Sequence, residues 1–192
     1  MQEMLEFFLA IDELKSVHRK NHLANGSRVE NTAEHSWHLA VAALVFAELA
    51  PPETDVFHAM RIALIHDIVE IDAGDTFAYD TVGAEDKAER EQLAADRIFG
   101  ILPTDLAQQF RSWWDEYEDA ETNEAKFAAA IDRMSPMLLN MAEGGTTWRQ
   151  FGVTATAARN RNRPSIETGM PDMWPILEAL MTQNVESGAL EP

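Results

Sequence analysis

Three observations predict an all-α fold. Apolar residues recur at three- and four-residue intervals along most of the 192 residues, capping and breaking residues punctuate those runs, and no stretch alternates apolar with polar as a half-buried strand would. With 46% hydrophobic residues the chain is long enough to bury a full core, and no composition break divides it, so one domain over residues 1–192 is expected.

The first helix carries Leu5, Phe8, Leu9, Ile11 and Leu14 as its apolar stripe and is expected to run to near Arg19, with that stripe on the core. Asn25-Gly26-Ser27 then signals a loop. Asn31 or Thr32 caps a second helix through Trp37, Leu39, Val41, Leu44, Val45 and Leu49, and Glu34 completes a capping box with Asn31. Pro51-Pro52 stops that helix, and helical spacing resumes over residues 54–70 before Ala73-Gly74-Asp75 breaks it. A charged, Ala-rich helix follows over 84–99, and Leu102-Pro103 leads into another over 104–117. The acidic run at 115–121 reads as a solvated surface or helix end. Residues 123–141 form a further helix with Phe127, Ala130, Ile131, Met134 and Leu138 on one side, ended by Gly144-Gly145. Beyond it lie a segment from 148 to 163, Pro164, and a last amphipathic piece around Met173, Trp174, Ile176, Leu177 and Leu180. The five tryptophans are expected in core or interface.

The charge balance narrows the function classes. With 33 acidic against 15 basic residues the net charge is −18, which disfavours nucleic acid polymers and anionic membrane surfaces as partners. A phosphate-bearing substrate would need local positive charge. There are no cysteines, so disulfides and thiolate ligands are excluded, which fits a reducing cytoplasm. The N-terminus has no basic leader and no apolar run reaches membrane-spanning length, so a soluble, cytoplasmic protein is expected.

The chemistry concentrates at His66-Asp67, which follows Ile62-Ala63-Leu64-Ile65 in an apolar run and has Glu70 one turn on. Polar residues in such a place need a partner that compensates their burial, and a divalent metal is the simplest one. Glu34-His35-Ser36-Trp37-His38 and Ala130-Ile131-Asp132-Arg133-Met134 repeat the pattern and could complete the coordination. Histidine nitrogen with carboxylate oxygen suits Zn, Mn, Fe, Co or Ni and leaves positions open for water. In helical geometry Glu70 would lie beside the His66-Asp67 pair, as a general acid or base should.

In these blocks the chain resembles the HD-domain metal-dependent phosphohydrolases, specifically the 5′-deoxynucleotidase-like branch. The resemblance is carried by Leu14-Lys15 through Arg19, by Glu30-Asn31-Thr32-Ala33-Glu34-His35-Ser36-Trp37, by His66-Asp67-Ile68-Val69-Glu70-Ile71-Asp72-Ala73-Gly74-Asp75, and by Asp132, in the family order. It implies a compact helical bundle, a divalent cation (Mn, Co, Zn, Fe, Ni or Mg) bound by His35, His66, Asp67 and Asp132, and a homodimer. The implied substrate is a small nucleotide, a (deoxy)nucleoside monophosphate that loses its 5′-phosphate. By the same resemblance Glu70 handles the attacking water, Arg19 grips the phosphate, and Asp75 acts with them on the sugar side as a catalytic and substrate-binding residue. Some members carry an aromatic residue directly after this arginine; here Lys20 follows, which bears on the choice between ribose and deoxyribose. The alternatives are another HD-type activity on phosphodiesters or nucleoside triphosphates, and a non-catalytic metal-binding helical protein. His18, His22 and His58 are assigned no role, and His38 reads as a polar helix position ahead of a ligand; Arg159, Arg161 and Arg163 are expected on a solvated turn, with contact to a phosphate or an acidic partner subunit as the alternative.

Overall fold

The architecture follows from where the chain can cap and where it must bend. The computed structural model describes residues 1–192. Helices α1 (Gln2–Ala10), α2 (Thr32–Val45), α3 (Val56–Ile65), the short α4 (Glu70–Ala73), α5 (Lys87–Phe99), α6 (Thr104–Asp119), α7 (Asn123–Ala142), α8 (Thr146–Gln150), α9 (Ala155–Gly169) and α10 (Trp174–Glu186) account for most of the chain. The expected all-α class holds, with one addition. Strands β1 (His18–His22) and β2 (Val29–Asn31) pair antiparallel in a small hairpin.

That hairpin corrects the expected long first helix. α1 ends at Ala10, a 3-10 turn covers Ile11–Ser16, and Arg19 sits on a strand. β1 reads His-Arg-Lys-Asn-His and has no apolar alternation to announce it. Tertiary hydrogen bonds anchor it instead: the Asn21 amide donates to the Pro136 carbonyl at 3.3 Å, and the Thr147 hydroxyl donates to the Lys20 carbonyl at 3.3 Å. The proposed α1 stripe is also displaced, because Leu5, Phe8 and Leu9 are 59%, 68% and 68% exposed while Phe7 and Leu14 are buried.

The expected capping box is present. Asn31 accepts from the Glu34 backbone N–H at 2.9 Å, and the Glu34 carboxylate accepts from the Asn31 N–H at 3.3 Å. Asn31→Ala is expected to cost about 1 kcal/mol, seen as a melting temperature lower by roughly 2–4 °C in a thermal scan. Asp55 caps α3, Thr122 caps α7 and Thr154 caps α9 in the same way.

Two apolar clusters meet at the functional helices. One gathers residues of α2, α3, α7, α9 and α10, among them Leu39, Ile62, Ile131, Ile166 and Leu177. The other joins Phe7, Ile98, Phe99 and Trp114 to Ile65, Ile68 and Val69. Gly169 permits close packing of α9 on α7, since a Cβ there would lie 2.1 Å from the Lys126 carbonyl oxygen. Trp114, Trp148 and Trp174 are in the core and Trp113 is half-buried, whereas Trp37 is exposed. No helix is long and apolar enough to cross a membrane.

Candidate metal centre

The chain does not present His66-Asp67 on an α-helix. α3 ends at Ile65, and residues His66–Val69 form a 3-10 turn before α4 begins at Glu70. The relative placement of His66, Asp67 and Glu70 is therefore not the helical one expected from sequence, because a tighter turn rotates successive side chains further. His66 takes part in this local geometry, its Nδ1 lying 2.9 Å from the Ala63 carbonyl. Gly74, at φ +75°, then turns the chain in a conformation open to glycine and places Asp75 beyond it. Arg90 of α5 holds this loop by donating to the carbonyls of Ala73 and Gly83 and to the Thr76 hydroxyl.

All seven residues singled out from sequence converge. His35 of α2 is fully buried; its Nε2 lies 3.0 Å from Asp132 Oδ1 of α7 and 3.8 Å from Asp67 Oδ2. His66 Nε2 lies 3.1 Å from Asp67 Oδ1. Ligand-capable atoms of His35, His66 and Asp132 fall within 4.8 Å of one another, and Asp67 touches both histidines from beside that triad. Arg19 Nη1 is 3.0 Å from Asp67 Oδ2 and 3.6 Å from Asp75 Oδ1. Glu70 accepts a hydrogen bond from the Thr32 hydroxyl at 3.0 Å.

Sequence reasoning missed three supporting groups. Glu30 is buried, with its carboxylate 3.3 Å from His35 Nδ1 and 3.8 Å from Arg19 Nε. Thr32, read only as a possible cap, donates to Glu70. Tyr117, within the run taken as solvated, donates to Asp132 Oδ2 at 3.0 Å, and its ring lies 4.5 Å from that of His66. Its spacing of three from the buried Trp114 was the available signal. Tyr117→Phe is expected to lower metal affinity about 10-fold, since outer-shell partners of ligands typically matter at that level, and a chelator competition titration would read it.

The electrostatics test whether a cation fits. Glu30, Asp67, Glu70, Asp75 and Asp132 place five carboxylates around Arg19 and two histidines. Burial would lower the Arg19 pKa, but Asp67, Asp75, Asp132 and Glu70 outweigh it and raise it. Burial, reinforced by Asp67 and Asp75, pushes Glu70 up to about 9. Burial likewise raises Asp75, against the pull of Arg19. Asp132 lies well below the usual carboxylate range because the His35 hydrogen bond and Arg133 overcome its burial. Burial and Arg19 act to lower His35, and its contacts with Asp132 and Glu30 prevail, so its pKa rises.

His66 carries the decisive detail. With Nδ1 donating to a backbone carbonyl, a neutral ring presents its Nε2 lone pair, and that buried atom has no hydrogen-bond partner despite its 3.1 Å approach to Asp67. A lone pair facing a carboxylate is repulsive unless a cation lies between them. His35 turns Nε2 in the same direction, and the Glu30 carboxylate stands 3.3 Å from its Nδ1 without a formed hydrogen bond, an approach that suits a metal-ligating histidine. The donor set of imidazole nitrogen and carboxylate oxygen is one that divalent transition metals accept.

His66 and Asp132 of the triad open onto a cavity of about 280 Å³, which Arg19, Asp67, Glu70 and Asp75 also line. A family model described as the HD domain matches residues 11–174. The chain belongs to the HD domain family. Over its full length this HD-domain chain is 29% identical to 5′-deoxynucleotidase HDDC2 of Homo sapiens, covering 92% of that protein. It is 32% identical to 5′-deoxynucleotidase HDDC2 of Bos taurus over 74% of its own length and 68% of the relative's. A crystal structure of a predicted metal-dependent phosphohydrolase from Magnetospirillum magnetotacticum superposes on the whole HD-domain chain with a TM-score of 0.95, at 43% identity and covering 95% of that structure. A conserved hypothetical protein from Pyrococcus furiosus, at 21% identity, shares the fold with a TM-score of 0.61, over 93% of this chain and 99% of its own. The HD domain and its histidine–aspartate triad together indicate a divalent metal.

The remaining histidines follow the expectations only in part. His18 and His38 are exposed. His22 is on β1 with Nδ1 3.2 Å from the Thr147 hydroxyl, and His58 pairs with Glu116 at 2.7 Å. Both are structural contacts rather than loose surface groups. Arg159, Arg161 and Arg163 all lie on α9 rather than on the expected turn, and Arg161 also lines the cavity.

Proposed function

We propose that this HD-domain hydrolase removes the 5′-phosphate of nucleoside monophosphates, deoxynucleotides among them, with a divalent cation held by His35, His66, Asp67 and Asp132. The observation that carries the reading is the unpartnered His66 Nε2, directed with His35 and Asp132 to one point beside a cavity that also exposes Glu70 and Arg19. A bound divalent ion supplies Lewis acidity, polarising a phosphoryl oxygen and making a water more acidic. The rest of the work falls to the chain itself.

Arg19, held by Asp67 and Asp75, presents a fixed guanidinium to the phosphate and offsets its charge as the P–O bond breaks. Glu70 accepts the proton of the attacking water. Its high proton affinity in the metal-free site suits it to that task, and Thr32 fixes the carboxylate's orientation. Asp75, following the Gly74 turn, meets the sugar. Glu30 and Tyr117 hold His35 and Asp132 in place.

The reading extends to the whole molecule. Residues 1–192 act as one domain, since helices of both apolar clusters supply the site. The metal is one of Mn, Co, Zn, Fe, Ni or Mg, the compartment is the cytoplasm, and the working unit is a homodimer. Metal-stripped protein resupplied separately with these ions and offered a panel of ribo- and deoxyribonucleoside 5′-monophosphates tests the reading. Metal-dependent release of inorganic phosphate is expected. Release of pyrophosphate or tripolyphosphate from triphosphates, cleavage of diesters alone, or silence with metal bound would overturn it.

A further inference from the structure

Arg133 and Arg161 are anomalous in so acidic a chain. On α9 the two neighbouring arginines are neutralised, Arg159 by Glu178 at 2.8 Å and Arg163 by Glu167 at 2.9 Å. Arg161 between them has no ion pair and no side-chain hydrogen bond, and neither has Arg133 on α7; both line the cavity that contains the metal centre. Arg133 is half-buried, and Arg161 enters from an exposed part of its helix.

No carboxylate stands within ion-pair distance of either guanidinium. Asp132, next to Arg133 in the chain, is already engaged, its Oδ1 facing His35 and its Oδ2 accepting from Tyr117. Burial and the proximity of Arg133 both disfavour charge on Arg161. Two guanidinium groups that line one cavity without an ion pair are stabilised by an anion between them. Guanidinium groups match phosphate in particular, because their N–H donors are planar and paired.

The charge count of the centre points the same way. The carboxylates around Arg19 outnumber the positive charges of the centre, so the centre by itself offers a dianionic phosphate little net positive charge. We infer that Arg133 and Arg161 form an anion subsite on the α7–α9 wall of the cavity, which binds a phosphate dianion of the nucleotide. This rests on the phosphohydrolase reading above and adds to it two residues from outside the resembling motifs. The anion has two possible sources, the 5′-phosphate that is cleaved or a second phosphoryl group on the sugar.

The test is calorimetric titration of metal-loaded wild type, Arg133→Gln and Arg161→Gln with inorganic phosphate, a deoxynucleoside 5′-monophosphate, a nucleoside 3′,5′-bisphosphate and the uncharged deoxynucleoside. Each substitution is expected to raise the Kd for phosphate about 10-fold, as loss of a charge-assisted contact should. Affinity for the uncharged nucleoside should stay within about twofold, and Arg161→Lys should recover much of the loss because charge is restored. An equal loss for mono- and bisphosphate assigns the subsite to the cleaved phosphate, and a loss confined to the bisphosphate assigns it to the second group. Unchanged Kd values for all three anions in folded variants would overturn the inference. Should Arg133→Gln fail to fold, Arg161→Gln and Arg161→Glu, at an exposed position, decide it alone. Absence of phosphate release from every monophosphate is a separate result and defeats the parent reading, whatever the Kd values show.

Discussion

His35→Ala is expected to abolish metal retention and phosphate release together. The side chain is fully buried and joins α2 to α7 through Asp132 and to β2 through Glu30, so no other group can take its place. An ion's Lewis acidity is worth several kcal/mol, and each 1.4 kcal/mol is tenfold, so turnover should fall by a factor on the order of 10³ or more. Metal content after gel filtration, measured by elemental mass spectrometry beside a phosphate-release assay, gives both quantities. Truncation also leaves Asp132 and Glu30 buried without their imidazole, so a lower melting temperature is expected with helical circular dichroism retained. A folded His35→Ala protein with stoichiometric metal and ordinary turnover would remove the proposed metal centre.

Glu70→Gln should separate binding from chemistry. The carboxamide keeps the size of the side chain and a contact to Thr32 but cannot accept the water's proton, so metal content should stay near wild type while turnover drops roughly 10²- to 10⁴-fold. The same substitution has a stability signature in metal-free protein. Glu70 is pushed from an ordinary carboxylate pKa up to about 9, chiefly by burial. The unfolded chain releases this proton near pH 4.5 while the folded chain keeps it, so wild-type stability declines as pH rises from about 4.5 to about 9. Glu70→Gln lacks that decline, and its advantage should grow through the same window, reaching on the order of 3 kcal/mol near pH 7. Denaturant melts at pH 5 and pH 8 measure it. A constant difference across that range would contradict the burial argument, and normal turnover would remove Glu70 from its role.

Both experiments act on residues that could be found in the bare sequence, because each breaks a strong local rule. His35, His66, Asp67 and Asp132 are polar side chains inside apolar helical runs, and burial without compensation is costly enough that such exceptions carry information. The Asn31–Glu34 capping box was legible for a similar reason, since it is a contract between residues three apart. Most helix boundaries after residue 31 were legible through proline, glycine and cap residues.

What escaped lay in groups whose significance comes from distant partners. β1 has no periodicity of its own and is held by Pro136 and Thr147, more than a hundred residues away in sequence. Tyr117 looks like part of an acidic surface until α6 packs beside α7 and turns its hydroxyl to Asp132. Arg161 cannot be told from Arg159 and Arg163 by sequence, because all three sit in one polar helical segment. The partners supplied by α9 and α10 neutralise its neighbours and leave Arg161 to the cavity.

The amino-acid sequence by itself determined the helical class, the Asn31 cap and the buried polar groups His35, His66, Asp67 and Asp132, because hydrophobic period and the cost of buried polarity act locally; Arg19 was reached through the family resemblance. Only the tertiary structure decided that His66-Asp67 occupies a 3-10 turn, that Arg19 rides on a strand, and that Glu30, Thr32, Tyr117, Arg133 and Arg161 belong to the site and its cavity. The physical reason is that hydrogen bonding and charge compensation are settled by whichever group arrives within about 3–4 Å, and that distance is set by the packing of helices remote in sequence.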